Sequence, residues 1–287
     1  MEIKNVCVLG VGTIGYQIAQ IVAQSGYSVM LRDIEERFLE GARSKITDNL
    51  QKYFVAKGKI SQDEANHVLA RINMTTDLNV AARAADLVIE AIPEVISLKQ
   101  KVFRELDEIC PERTILASNT SALSIDDISL YAKRKDHIMV THFINPVQRM
   151  KLVELVVSDH TSQVTLDQVK AFIQSLGKEI VLVKDSPGFV TTRLFVTIVN
   201  EAAKMFDEGI ASVEDIDKAI TMGLNHPIGP LQAADISIET LVHCLRYLKE
   251  KLGESYSPSP ILEKLMSEGK LGVKTGQGFY RYDSQGK

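Results

Sequence analysis

The sequence predicts a doubly wound α/β domain that carries a helical-hairpin insertion, followed by an all-helical C-terminal domain. Three observations carry this. Strand and helix patterns alternate over residues 1–185, and a glycine turn joins the first strand to the first helix. About forty residues separate Asp33 from the short segment near Asn73 and Met74, far more than one crossover helix needs. After Asp185-Ser186-Pro187-Gly188 the strand signals stop. The expected domains are therefore 1–185, with the hairpin at about 34–72, and 186–287.

The first strand, 6–9, runs into Gly10-Val11-Gly12-Thr13-Ile14-Gly15. This G-x-G-x-x-G spacing, with a strand before it and a helix after it, points to a dinucleotide site on a Rossmann-type sheet. Gly10 allows the tight turn, Gly12 lets a pyrophosphate approach the backbone, and Gly15 lets the helix pack on the sheet. Thr13 and Ile14 complete the turn and count with it as cofactor-binding. The helix continues on Ile14, Ile18, Ile21 and Val22 and ends at Gly26. Its first N–H groups and its dipole favour a phosphate. The second strand, 28–31, leads to Asp33, whose carboxylate suits the two ribose hydroxyls of an adenosine and repels a 2′-phosphate. That predicts NAD rather than NADP, with Arg32 as the opposing signal.

Next comes the hairpin. Phe38, Leu39, Ala42, Ile46, Leu50 and Phe54 mark its first helix, and Lys57-Gly58-Lys59 its turn. Ser61 and Glu64 form a capping box for a second helix at 62–71. Lys45, Lys52, Lys57 and Lys59 either meet an anionic ligand or form a solvated face. Further strands are expected at 87–92, 114–117, 138–143, 151–157 and 179–183, several of them continuous apolar runs as in a parallel sheet covered on both faces. Helical patterns fall between them, at Val95, Leu98, Val102, Leu106 and Ile109 and again at 165–176 before Gly177. The C-terminal domain reads as helices at 189–208, 213–222, 230–252 and 260–267. The first of these carries Val190, Leu194, Ile198, Ala202 and Met205 on one face.

Two strands hold polar residues that burial disfavours. His142 shares a face with Ile138 and Val140, and Glu154 shares one with Leu152 and Val156. A carboxylate in such a strand needs a partner. Twelve residues apart on neighbouring strands, the two can meet, the carboxylate fixing one ring nitrogen while the other exchanges a proton with a substrate hydroxyl. That is the chemistry of an alcohol dehydrogenase without metal. Ser118-Asn119-Thr120-Ser121 follows another strand at its carboxyl end, where ligands bind in open α/β sheets. It reads either as a substrate-bonding loop or as a polar turn before Leu123.

Composition is that of a globular protein, 45% hydrophobic and 24% charged, with net charge -4. Nothing in the charge argues for nucleic acid, and no apolar run reaches a membrane span. The chain begins almost on its first strand, so no leader is expected. Cys7, Cys110 and Cys244 lack metal spacing and are expected to be reduced core thiols in a cytoplasmic protein.

Together these segments resemble the L-3-hydroxyacyl-CoA dehydrogenase family, especially its short-chain 3-hydroxybutyryl-CoA members. The marks are the Gly10–Gly15 turn, Ala117-Ser118-Asn119-Thr120-Ser121, His142-Phe143-Ile144-Asn145-Pro146 and Met150-Lys151-Leu152-Val153-Glu154. Pro187-Gly188-Phe189, Pro227-Ile228-Gly229-Pro230-Leu231 and Lys274-Thr275-Gly276-Gln277-Gly278-Phe279-Tyr280 follow in the same order. The resemblance implies NAD as cofactor, an acyl-CoA substrate and a homodimer through the helical domain. It implies His142 as general base, Glu154 as its orienting partner and Ser121 at the substrate oxygen. Asn145, Glu94, Lys99 and Lys274 match cofactor positions, and Asn49, Lys52 and Lys57 match CoA contacts. Where the family usually has asparagine before arginine, Thr192 stands before Arg193, which bears on substrate positioning. Two other readings stay open: a dehydrogenase of a free hydroxy acid or sugar acid, and an NAD-binding protein without turnover.

Overall fold

The structure, a computed structural model, describes residues 2–283. Residues 1 and 284–287, the outer ends of the two expected domains, lie outside the described residues. The chain forms two compact units that divide after Asp185.

The first unit opens with β1 (Asn5–Leu9), α1 (Gly15–Gln24) and β2 (Ser28–Arg32). The hairpin is α2 (Glu36–Leu50), which winds on into a π-helical turn at Gln51–Val55, and α3 (Gln62–Ala70), entered through the Ser61–Glu64 capping box. Then come β3 (Ile72–Thr75), α4 (Leu78–Ala82), β4 (Leu87–Glu90), α5 (Ile96–Ile109), β5 (Ile115–Ser118) and α6 (Ile125–Ile128). β6 (Ile138–Phe143), β7 (Leu152–Val157), α7 (Gln163–Ser175) and β8 (Glu179–Lys184) complete the unit.

These strands make one eight-stranded sheet, ordered β3-β2-β1-β4-β5-β6-β7-β8. Every neighbouring pair is parallel except β6 and β7. The reason lies in the connection. Residues 144–151 are fewer than the dozen or so that a parallel crossover needs, so β7 turns back against β6. β4, β5 and β6 are buried along their whole length, as continuous apolar runs require. The hairpin does not simply project from the sheet. Leu39, Ala42, Ile46, Leu50, Ala65 and Val68 share one core with Ile18 and Val22 of α1, while the outer faces of both helices and the tip stay in solvent.

The second unit is helical: α8 (Thr191–Asp207), α9 (Val213–Gly223), α10 (Pro230–Ala234), α11 (Ile238–Leu252) and α12 (Pro260–Ser267). Two expectations need correction. The helix expected at 230–252 is two helices. Val273 N–H takes the Asp235 carbonyl that helix continuation would have used, and the Ser237 side chain caps a new start. The Asp235 carboxylate accepts from the Phe279 and Tyr280 N–H groups and the Tyr282 hydroxyl, so the tail docks where the helix breaks. On α8 the core face is Val196, Val199, Ala202 and Ala203, while Val190, Leu194 and Ile198 stay exposed. Among the described residues no helix is long and apolar enough to cross a membrane.

Candidate active site

β1, β4 and β5 all end on the same edge of the sheet, and the glycine turn leaves β1 there. Gly10 has φ +92°, which disfavours a side chain. A Cβ on Gly15 would lie 1.9 Å from the Gly10 carbonyl oxygen, so turn and helix close tightly only on glycine. At Gly12 a Cβ would meet nothing within 4 Å. The open side of the turn is thus the Gly12 side, and no side chain caps α1 above it. This is an anion cradle, fit for a pyrophosphate. Asp33 stands at its flank. Its oxygens accept from Val11 N–H at 2.8 Å and Ile34 N–H at 2.7 Å, which fixes the carboxylate and leaves each oxygen capacity for a hydroxyl. Arg32 turns away and donates through Nε to the Thr76 carbonyl.

Behind the Ser121 loop lies a charged network. Glu90, at the end of β4, and Lys99, on α5, are fully buried, with Lys99 Nζ donating to Glu90 Oε1 at 2.6 Å. Lys99 also pairs with Glu94 at 3.2 Å. Burial works against the ammonium, but Glu90 and then Glu94 outweigh it, and the Lys99 pKa is raised. Glu90 accepts further from Ser118 Oγ and Ile92 N–H. Glu94 accepts from Thr120 Oγ1 and from Ser121 N–H. The loop carrying Ser121 is therefore held by two carboxylates that share one lysine.

β6 and β7 bring His142 and Glu154 directly opposite each other. His142 Nδ1 lies 2.8 Å from Glu154 Oε2; Glu154 is wholly buried and His142 is 5% exposed. An ionised carboxylate only accepts, so in this pair Nδ1 carries the proton. Asn119 Oδ1 accepts from Phe143 N–H at 2.9 Å and ties the Ser121 loop to the end of this strand. Asn145 follows in the β6–β7 connection and is exposed.

In the hairpin, Lys52 and Lys57 both lie over the half-exposed Tyr53 ring at the π-helical turn. Asn49 is half-buried and donates toward Gln20 of α1 at 3.5 Å. Thr192 and Lys274 belong to the second unit. Thr192 is half-buried in the first turn of α8. Lys274 is exposed, with Nζ 3.8 Å from Glu239. Among the described residues no group of His, Cys, Asp and Glu is arranged to hold a metal ion.

Two family models cover the chain. The NAD binding domain of 3-hydroxyacyl-CoA dehydrogenase matches residues 5–186, and the C-terminal domain of the same enzyme matches residues 188–282. The chain belongs to the 3-hydroxyacyl-CoA dehydrogenase family. The dehydrogenase is 40% identical to a probable 3-hydroxybutyryl-CoA dehydrogenase of Bacillus subtilis, across 99% of both chains. It is 39% identical to the human mitochondrial hydroxyacyl-coenzyme A dehydrogenase, across 98% of this chain and 91% of that one. It superposes on the crystal structure of (S)-3-hydroxybutyryl-CoA dehydrogenase from Ralstonia eutropha with TM-score 0.93 at 37% identity, across 99% and 100% of the two chains. It is an NAD-dependent oxidoreductase.

Four residues of the dehydrogenase site escape a reading by motif. Glu90 ends an apolar strand, a carboxylate where burial demands a partner, and that signal was present. Gln17 interrupts the apolar face of α1. Asn119 sits inside a loop read for its hydroxyls. Lys178 is buried and donates to the Val147 and Met150 carbonyls at 2.5 and 2.7 Å.

Proposed function

We propose that the chain catalyses the reversible oxidation of a short-chain (S)-3-hydroxyacyl-CoA, such as 3-hydroxybutyryl-CoA, to the 3-ketoacyl-CoA. The observation that carries this reading is the buried His142–Glu154 pair in a chain of this family. Bound NAD supplies the hydride acceptor in oxidation and the donor in reduction. In oxidation His142 Nε2 takes the hydroxyl proton as the C–H hydride leaves, and in reduction it returns that proton to the carbonyl oxygen. Glu154 holds the ring by Nδ1 and stabilises the imidazolium between these steps. Ser121 bonds the reacting oxygen, and Glu94, steadied by Lys99, holds the Ser121 backbone. Lys99 is 1% exposed, so its part at the cofactor side runs through Glu94. Asp33 takes the adenosine ribose, Gly12 and the start of α1 the pyrophosphate. The basic, aromatic hairpin tip takes the CoA phosphates.

The reading extends to a homodimer through the helical unit. The exposed Leu194, Phe195 and Ile198 of α8 support it, as an apolar stripe on the helix surface. It extends to a cytoplasmic setting, supported by three buried cysteines that form no disulfide among the described residues.

The test is NADH consumption with acetoacetyl-CoA, with free acetoacetate and NADPH as controls. Fast turnover with the CoA ester and NADH alone is expected. His142→Ala is expected to lose several orders of magnitude in turnover while still binding NADH. No turnover with the ester, or near-normal turnover of the variant, overturns the substrate or the base.

A further inference from the structure

Gln17 is 5% exposed, on a helix whose neighbouring inward residues Ile18 and Val22 are apolar. A buried carboxamide must find partners, and Gln17 has three. Its Nε2 donates to the Thr13 carbonyl at 2.6 Å and to Asn145 Oδ1 at 3.0 Å. Its Oε1 accepts from Val147 N–H at 2.9 Å. The two backbone partners settle which end is which, because a carbonyl only accepts and an N–H only donates. The N–H end of Gln17 therefore faces Asn145, and two N–H groups do not bond each other. Asn145 must turn its oxygen inward, which leaves Nδ2 at the opposite end of an exposed carboxamide.

We propose that Gln17 is a positioning residue that fixes the polarity of Asn145, so that Asn145 meets an oxygen of the nicotinamide nucleoside with N–H. The same side chain grips Thr13, so the glycine turn and Asn145 share one anchor. Gln20, one turn further along α1 and wholly buried, accepts from Gln148 at 3.3 Å and adds a second tie to the β6–β7 connection. Lys178 holds that connection from another direction, through the Val147 and Met150 carbonyls. The loop bearing Asn145 is thus clamped, and the clamp sets the sense of its hydrogen bond. The inference rests on the dehydrogenase reading, in which Asn145 lies at the nicotinamide.

The experiment is a double-mutant cycle read by fluorescence titration of NADH, without turnover. Gln17→Glu keeps the length and the acceptor for Val147 but loses both Nε2 donors, so Asn145 is expected to reverse and offer oxygen. Gln17→Met, neutral and of similar length, separates orientation from charge. Each is measured with Asn145 present and with Asn145→Ala, and each protein is melted to confirm folding. Both Gln17 variants are expected to weaken NADH by about tenfold, the size of one lost hydrogen bond. In the Asn145→Ala background they are expected to weaken NADH by several-fold less than with Asn145 present, because only the share that runs through Thr13 and Val147 then remains. Equal losses in both backgrounds, or NADH affinity unchanged by Gln17→Met, overturn the proposal. A wild type that ignores acetoacetyl-CoA removes the substrate assignment and leaves this binding cycle to decide Gln17.

Discussion

Lys99→Met strands Glu90. The ammonium lies 2.6 Å from Glu90 and 3.2 Å from Glu94, with 1% and 0% of the Lys99 and Glu90 side chains exposed. Methionine keeps most of the stem volume, so the change removes charge more than packing. Glu90 retains Ser118 Oγ at 2.7 Å and Ile92 N–H at 2.8 Å, but no cation. Breaking a buried ion pair from one side costs about 3–5 kcal/mol. The Lys99 pKa is raised in the folded state. The stability it contributes is therefore whole below the ordinary lysine value of about 10.4 and is lost as pH rises through the raised value. The assay is urea unfolding followed by circular dichroism, at neutral and at strongly alkaline pH. Lys99→Met is expected to unfold at much lower urea at neutral pH, with the gap narrowing at alkaline pH. Adding Glu90→Gln is expected to restore part of the loss, since the stranded charge goes with it. A loss below about 1 kcal/mol, the size of a surface pair, or a double variant no better than the single, refutes the reasoning.

The glycines of the turn separate fold from binding. Gly12→Ala is expected to melt like the wild type, since its Cβ meets nothing within 4 Å, yet to lose at least about tenfold in NADH affinity because the methyl occupies the phosphate approach. Gly15→Ala is expected to lose melting temperature and NADH binding together; differential scanning fluorimetry and NADH titration check both. Lys52→Glu with Lys57→Glu is expected to raise KM for acetoacetyl-CoA and leave NADH affinity unchanged, with the KM effect shrinking as salt is added. Steady-state kinetics at two ionic strengths read it.

What the sequence made legible was mostly local. Gly10, Gly12 and Gly15 announce their turn because each solves a steric problem within a few residues. Ser61 and Glu64 announce a helix start for the same reason. His142 and Glu154 were legible because each is improbable alone in a buried strand and short spacing suggested a shared cause. The sense of β7 was also within reach, since residues 144–151 leave no room for a crossover. What escaped depends on distant partners. The break at Asp235 follows from Val273, Phe279 and Tyr280, and nothing near Asp235 reports them. Gln17 reads as one polar residue on an apolar helix until Asn145 and Val147, 128 and 130 positions away, are beside it. The apolar face of α8 was misleading because that helix carries apolar residues on two faces, and burial selects only one.

His142 and Glu154 occupy one rung of an antiparallel ladder. Backbone hydrogen bonds, not loops, set the distance between their α-carbons. The two residues are thus set opposite each other as soon as the sheet forms, with no loop left to arrange them.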